Sequence, residues 1–284
     1  SFSGGADSST VSCLVALMVE LGLAELGRER FLTALSQIED IRTAKDARRI
    51  VNRLLTTVYQ STRQSSETTR HAARTVAEAI GSRHFEFDVD PLVERYVGMV
   101  SQRIGRTLTW KTDDNALQNI QARVRGPGAW LLANERNAIL LVTSNRSEAA
   151  VGYATMDGDT GGLSPIGGID KAFLRQWLRW LETTGPQGLH PIPILSLVNQ
   201  QLPTAELQPQ DKHQTDEQDL MPYEILDLIE RAAIRDKKTP LDTFLLLRSE
   251  FPSRYPDQDL AAWIERFFRL WCRNQWKRER YAPS

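Results

Sequence analysis

The sequence predicts an α/β fold: a parallel sheet of about five strands sandwiched by helices, with a helical C-terminal part. Three observations carry this. Up to about residue 170, short β-branched or apolar runs alternate with helix-like periodic segments, a spacing that demands crossover connections and parallel strands. A glycine turn, Ser3-Gly4-Gly5, joins an extended start to a helix. After Asp170 the pattern is helical only.

Residues 1–5 read as the end of a strand entering a tight turn. Ser8 to Leu26 reads as a helix, because Val11, Leu14, Val15, Met18, Val19 and Leu21 recur at helical intervals. Residues 25–50 are charged and helical in propensity. Leu54 to Tyr59 is β-branched between polar flanks and reads as a buried strand. Ser65-Ser66-Glu67-Thr68 is an N-cap signature for a helix to Ile80, stopped by Gly81. His84 to Val89 alternates as a strand. Pro91 to Ile104 is a helix, and Asp113 to Asn134 is a long helix interrupted by Gly126-Pro127-Gly128. Ala138 to Thr143 reads as an apolar strand and Ser147 to Tyr153 as a short helix. Helices follow at 170–184, 222–235, 239–249 and 256–276, and the Gln-, Pro- and Asp-rich stretch 201–221 reads as a mobile loop.

At 284 residues and 41% hydrophobic, the chain has ample material for a core and reads as one α/β domain over 1–284. Basic and acidic side chains nearly balance, 35 against 36, so there is no strong basic field and no nucleic-acid partner is expected. Cys13 and Cys272 both fall in helix-like apolar patterns and read as packed residues, which fits a reducing, cytoplasmic setting. The longest apolar stretch, Val11 to Val19, is far short of a membrane span, so no membrane association is expected. The chain opens on Ser-Phe-Ser-Gly-Gly with no initiator Met, and it reads as part of a longer polypeptide.

The chemistry centres on Ser3-Gly4-Gly5-Ala6-Asp7-Ser8-Ser9. Adjacent glycines let several backbone N–H groups point into one concavity, and the helix N-terminus adds partial positive charge, so the turn suits phosphate. Ser3, Ser8 and Ser9 add hydroxyls. Asp7 is out of place beside bare phosphate unless it holds a Mg²⁺ that bridges to the phosphate oxygens. A plain glycine turn with a Ser/Asp helix cap is the bland alternative. Without a Lys, this is not the usual NTPase loop.

The string resembles the signature of the N-type ATP pyrophosphatases, which cut ATP between the α and β phosphates. Further along, Val142-Thr143-Ser144-Asn145-Arg146-Ser147-Glu148, Gly152-Tyr153-Ala154-Thr155 and Pro165-Ile166-Gly167-Gly168-Ile169-Asp170-Lys171 resemble the middle of NAD synthetase. So do Leu117 to Arg125, Pro203-Thr204-Ala205-Glu206-Leu207, Gln214-Thr215-Asp216-Glu217 and Met221-Pro222-Tyr223. Ser65-Ser66-Glu67-Thr68 and the Gln-Asn-Ile-Gln-Ala-Arg string of 118–123 look nearest to the synthetase domain of the glutamine-dependent branch.

The resemblance implies an adenine nucleotide alpha hydrolase-like, Rossmann-like fold, with ATP at the carboxyl ends of the strands. It implies adenylation of deamido-NAD+ by ATP and amidation by ammonia, giving NAD+, AMP and pyrophosphate, in a homodimer or larger homo-oligomer. By the same match Ser3, Gly4, Gly5, Ala6, Asp7, Ser8 and Ser9 hold the pyrophosphate, with Thr143, Lys171 and Thr204 as further ATP contacts. Asp7 and Glu148 fall on Mg²⁺ positions, and Asp7, Lys171 and Glu148 carry the catalysis. Asn119, Arg123, Glu148 and Lys277 fall on positions that hold deamido-NAD+. Plainer readings stand beside these: a helix-dipole Glu for Glu148, and a strand-end residue satisfying its own backbone for Thr143.

Three positions depart from the family pattern. Trp276 stands where a His precedes the Lys, Met156 where the ammonia-dependent branch has a Lys, and Gly162 near the place of a substrate-contacting Asp. Neither cysteine has the setting of a glutaminase nucleophile, so a nitrilase-like glutaminase domain is expected before residue 1, feeding ammonia from glutamine. Another N-type ATP pyrophosphatase amidoligase, or a non-catalytic nucleotide-binding module, are the competing readings.

Overall fold

The structure is a computed structural model that describes residues 1–158, 160–209, 215–280 and 282–284. Its helices are α1 (Ala6–Leu26), α2 (Arg28–Ala34), α3 (Ala47–Leu54), α4 (Glu67–Ile80), α5 (Asp90–Ile104), α6 (Asp114–Arg123), α7 (Arg125–Glu135), α8 (Arg146–Val151) and α9 (Lys171–Thr183). They continue with α10 (Ser196–Asn199), α11 (Asp216–Asp219), α12 (Tyr223–Glu230), α13 (Pro240–Glu250), α14 (Asp257–Arg273) and α15 (Gln275–Arg278). Two strands, β1 (Thr56–Ser61) and β2 (Arg83–Asp88), pair in parallel with Thr56 opposite Arg83 and Ser61 opposite Asp88. Helix α4 makes the crossover between them, as the sequence predicts.

Among the described residues the sheet has two strands, not about five. Two further segments read as strands, residues 1–5 and 138–143, pair too briefly to count. Phe2 N–H donates to the Val58 carbonyl at 2.8 Å, which sets the first residues along the free edge of β1. Leu141 and Leu163 form an isolated parallel bridge, with Val142 N–H to Leu163 and Gly162 N–H to Leu140, both at 2.8 Å. The expected strand Ala138 to Thr143 is reduced to that bridge.

Local chemistry explains the other boundaries. Ser66 caps α4 by accepting the Thr69 N–H, and Gly81 ends it at φ +81°. The first strand begins at Thr56, because α3 continues through Leu54. The long helix expected from Asp113 breaks at Val124, ahead of the Gly-Pro-Gly. Pro127 then falls in the first turn of α7, where a missing N–H costs nothing. Residues 222–235 are α12 followed by a π-helical turn, Arg231–Arg235. The stretch 201–221 contains α11, and its residues 210–214 lie outside the described residues.

The apolar interior has two large clusters and a small third one of Val11, Ile166 and Leu174. Phe2, Cys13, Leu17, Val19, Ile50, Val76 and Leu178 bring α1, α3, α4 and α9 together. Tyr223, Ile225, Leu226, Leu247, Ile264 and Phe267 form the core of the C-terminal helices, joined by Ala150 and Val151 of α8. Burial pushes the Cys13 thiol up to about 12, in keeping with a packed residue. Cys272 is exposed instead, beside the α14 stripe of Leu260, Ile264 and Phe267 rather than on it. Helix α1 also corrects the sequence view of apolar length. With Ser, Thr and Gly interleaved, its 21 residues are long and apolar enough to cross a membrane by length and composition, yet 44% of its most apolar window is buried in this fold.

Gly4 fixes the first corner. Its φ is +79°, and a Cβ there would meet the Thr69 carbonyl oxygen at 2.2 Å, whereas a Cβ on Gly5 would find only Ser3 Oγ at 3.4 Å. Gly4→Ala is therefore expected to lower the unfolding free energy by roughly 1–3 kcal/mol from backbone strain alone, and by more through the overlap. Gly5→Ala, at an N-cap with ordinary φ, is expected to cost about 1 kcal/mol or less. Denaturant midpoints of the two variants check this, and equal losses would contradict it.

Candidate active site

The loop places Asp7 in the first turn of α1, where it projects toward the starts of two other helices. Asn145 links the first pair. As N-cap of α8 it accepts the Glu148 N–H through Oδ1 at 3.0 Å, while its Nδ2 donates to Asp7 Oδ1 at 2.9 Å. Lys171 opens α9 and is only 2% exposed. Its ammonium pairs with Asp7 Oδ2 and, at 2.8 Å, with Glu148 Oε1.

Residues from the second core close the cluster. The Tyr223 hydroxyl lies 3.1 Å from Glu148 Oε1 and 3.2 Å from Asp216 Oδ2, and the Lys171 ammonium sits 5.4 Å from the centre of its ring. Tyr153 donates to Asp219 Oδ2 at 2.9 Å and lies 3.3 Å from Asp216 Oδ1. Asp7, Glu148 and Asp216 thus surround a single buried cation.

Burial pushes the Glu148 carboxyl up to about 7, against the pull of Lys171 and reinforced by Asp7 and Asp216. Burial also raises Asp216 and lifts the Tyr223 phenol well above its ordinary value. For Lys171, burial alone would lower the pKa, but the carboxylates of Asp7, Glu148 and Asp216 outweigh it and hold the amine above the usual lysine range.

A cavity of about 670 Å³ opens on this cluster, lined among others by Ser3, Asp7, Thr143, Glu148, Thr204 and Lys277. A second cleft beside the loop is lined by Gly5, Ala6, Thr69, Arg175 and Glu206, and shares Ser1, Ser3, Arg125, Thr204 and Ala205 with the first. The Ser3 and Ser8 hydroxyls bond within the loop. Ser3 Oγ accepts the Gly5 N–H at 3.3 Å and meets Ser8 Oγ at 3.2 Å. Ser9 Oγ is buried with no hydrogen-bond partner among the described residues.

Most residues singled out in the sequence therefore converge. Asn119 and Arg123 do not. Helix α6 turns Asp114, Asn115, Gln118 and Ala122 toward the cavity, and positions 119 and 123 lie about 40° and 80° past Asn115, at and beyond the edge of that face. Arg123 is exposed and donates from Nε to the Met156 carbonyl at 3.0 Å. Lys277 lines the cavity while donating to the Gly152 and Ala154 carbonyls at 2.8 and 2.7 Å, and the neighbouring Trp276 is exposed. Sequence reading assigned no role to Asn145, Asp216 or Tyr223. They stand in strings that resemble the family, yet only folding shows what they touch.

Among the described residues no group of three or more His, Cys, Asp or Glu side chains forms a closed metal cage. The Asp7–Glu148 pair nevertheless fits Mg²⁺, which takes one or two protein carboxylates and completes its shell with water and substrate phosphates.

A carboxyl with a raised folded-state pKa holds its proton more tightly in the folded chain. Its stabilisation is complete below the unfolded pKa near 4.5 and is lost as pH rises to about 7 for Glu148. Relative to Glu148→Gln, which cannot titrate, the unmodified protein is expected to lose on the order of 1 kcal/mol between pH 5 and 7. Thermal midpoints of both across that range check it, and a constant difference would contradict it.

Comparison with known proteins gives the family. A family model described as NAD synthase matches residues 1–252. A glutamine-dependent NAD(+) synthetase of Oryza sativa subsp. indica is 32% identical over 99% of the chain, and that of Rattus norvegicus is 30% identical over the same share. The chain spans about 41% of the length of these curated relatives. The crystal structure of a glutamine-dependent NAD(+) synthetase from Cytophaga hutchinsonii superposes with a TM-score of 0.82 at 42% identity, covering 100% of this chain and 46% of that one. On the strength of a match that runs from the phosphate-type loop into the C-terminal helices, this chain belongs to the NAD synthase family.

Proposed function

We propose that the chain is the synthetase part of a glutamine-dependent NAD+ synthetase, adenylating deamido-NAD+ with ATP and amidating the product with ammonia. The observation that carries the reading is the buried Lys171 ammonium between Asp7 and Glu148, at the foot of a glycine loop and a cavity large enough for a nucleotide.

The first step brings a carboxylate to the α-phosphorus of a polyanion. A carboxylate oxygen of deamido-NAD+ forms the new P–O bond, the bond to the β-phosphate bridge breaks, and pyrophosphate leaves. The substrate acid is ionised at neutral pH, so no base is needed here. The loop N–H groups and the α1 N-terminus hold the pyrophosphate oxygens. Lys171 supplies fixed positive charge where negative charge passes to the leaving group. Thr143 and Thr204, both on the cavity wall, would orient the phosphates. Asp7 and Glu148 would hold Mg²⁺, which when bound neutralises phosphate charge. In the second step ammonia attacks the acyl carbon, the C–O bond to AMP breaks, and the nitrogen gives up a proton. Burial around Lys171 and Tyr223 keeps competing water away from the mixed anhydride.

The rest of the reading concerns the whole protein. The ammonia would come from glutamine through a nitrilase-like glutaminase domain, which no cysteine setting in this chain supplies. Helix α5 has no buried residue and turns Leu92, Tyr96, Met99 and Ile104 to solvent, the kind of face that a second copy covers in a homodimer or larger oligomer. A cytoplasmic location belongs to the same reading. Asn119 and Arg123 fall outside the cavity lining, and their assignment to deamido-NAD+ rests on the family match alone.

With ATP, Mg²⁺, deamido-NAD+ and ammonium, the protein is expected to form NAD+ and pyrophosphate, and Asp7→Asn to lower kcat about 100-fold or more. Binding of deamido-NAD+ to that variant should change by no more than about threefold. Turnover and a separate binding titration measure the two quantities, and equal loss of both would remove Asp7 from its assigned role. Pyrophosphate release that ignores deamido-NAD+ would assign the site a different acid substrate.

A further inference from the structure

Among the buried carboxylates of the helical C-terminal part that the reaction scheme leaves unused, Asp227 bonds to both helices that carry Glu148 and Lys171. Asp227, on α12, is 3% exposed. Its Oδ2 accepts the Ala172 N–H at 3.0 Å, and its Oδ1 accepts the Ser147 hydroxyl. Ser147 Oγ in turn accepts the Lys171 N–H at 2.8 Å. The first two N–H groups of α9 are thus satisfied by side chains from two other helices. Asp170, the residue placed to cap α9, makes no side-chain cap and pairs with Arg146 at 2.6 Å.

The arrangement has a specific consequence. Ser147 is bonded in sequence to Glu148, and Ala172 to Lys171, so the Asp227 carboxylate ties together the backbones that carry both groups. A cation at the start of a helix is opposed by the helix dipole, and a buried anion at the same N-terminus offsets that. We infer that Asp227 is a positioning residue for the reaction: through Ser147 and the start of α9 it holds the Lys171 ammonium in register with Glu148. This rests on the reading of Lys171 given above.

Asp227→Asn keeps the shape but loses an acceptor, and Ser147→Ala removes the relay. In the full chain, with ammonium as the nitrogen donor, each variant is expected to lower kcat by about tenfold or more, with KM for ATP and deamido-NAD+ within about threefold. The double variant should fall no more than about threefold below the worse single one, because both changes cut one connection. Melting temperature is followed alongside, and Ser147→Ala, a one-atom deletion, carries the test alone if Asp227→Asn does not fold. Lowered melting temperatures with unchanged kcat per folded molecule would make Asp227 a purely structural cap and overturn the inference, as would additive losses. An unmodified protein that releases no pyrophosphate would overturn the reading of the site itself, and the inference with it.

Discussion

The buried ammonium of Lys171 is the interaction on which the rest depends. Burying a lone cation is costly, and burying two carboxylates without a counter-ion is costly as well. Here each cost offsets the other, provided three separate helices deliver their first turns to one point. Asp7 comes from α1, Glu148 from α8 and Lys171 from α9. Removing one partner leaves an unpaired buried charge, so the cluster constrains the fold as firmly as it suits phosphate chemistry.

The surrounding architecture follows from that requirement. Gly4 brings the loop against the first turn of α4, close enough that no side chain fits there. Asn145 locks α8 to Asp7 with one side chain used in both directions. The C-terminal end of α8 is held by Asn274, Lys277 and Arg278, which donate to the carbonyls of Val151, Gly152 and Ala150. A six-residue helix has little stability of its own, and such fastening at both ends is what allows it to present Glu148 reproducibly. The two apolar cores sit on either side, so the polar cluster lies at their junction.

Much of this was legible in the sequence where the cause is local. Ser66 and Gly81 bound α4 as a cap and a left-handed stop, and the loop string announces a tight corner opening a helix because its glycines, serines and aspartate are contiguous. Boundaries shifted where a neighbouring element won, as when α3 took Leu54 from the first strand. The sheet was over-read because apolar runs such as Ala138 to Thr143 say nothing about how long a partner stays alongside. Asn145, Asp216, Tyr223 and Asp227 were beyond reach for the same kind of reason: their partners lie up to 138 residues away. The spacing of four between Asn119 and Arg123 shows that they share a face, not which face meets the cavity.

The central claim is that a substrate carboxylate attacks the α-phosphorus of ATP at the Asp7–Lys171–Glu148 cluster. Turnover of deamido-NAD+ labelled with ¹⁸O in its carboxylate tests it most directly, with the AMP and pyrophosphate analysed by mass spectrometry. The account predicts one labelled oxygen in the AMP phosphate and none in pyrophosphate. Unlabelled AMP, or label in pyrophosphate, would contradict it.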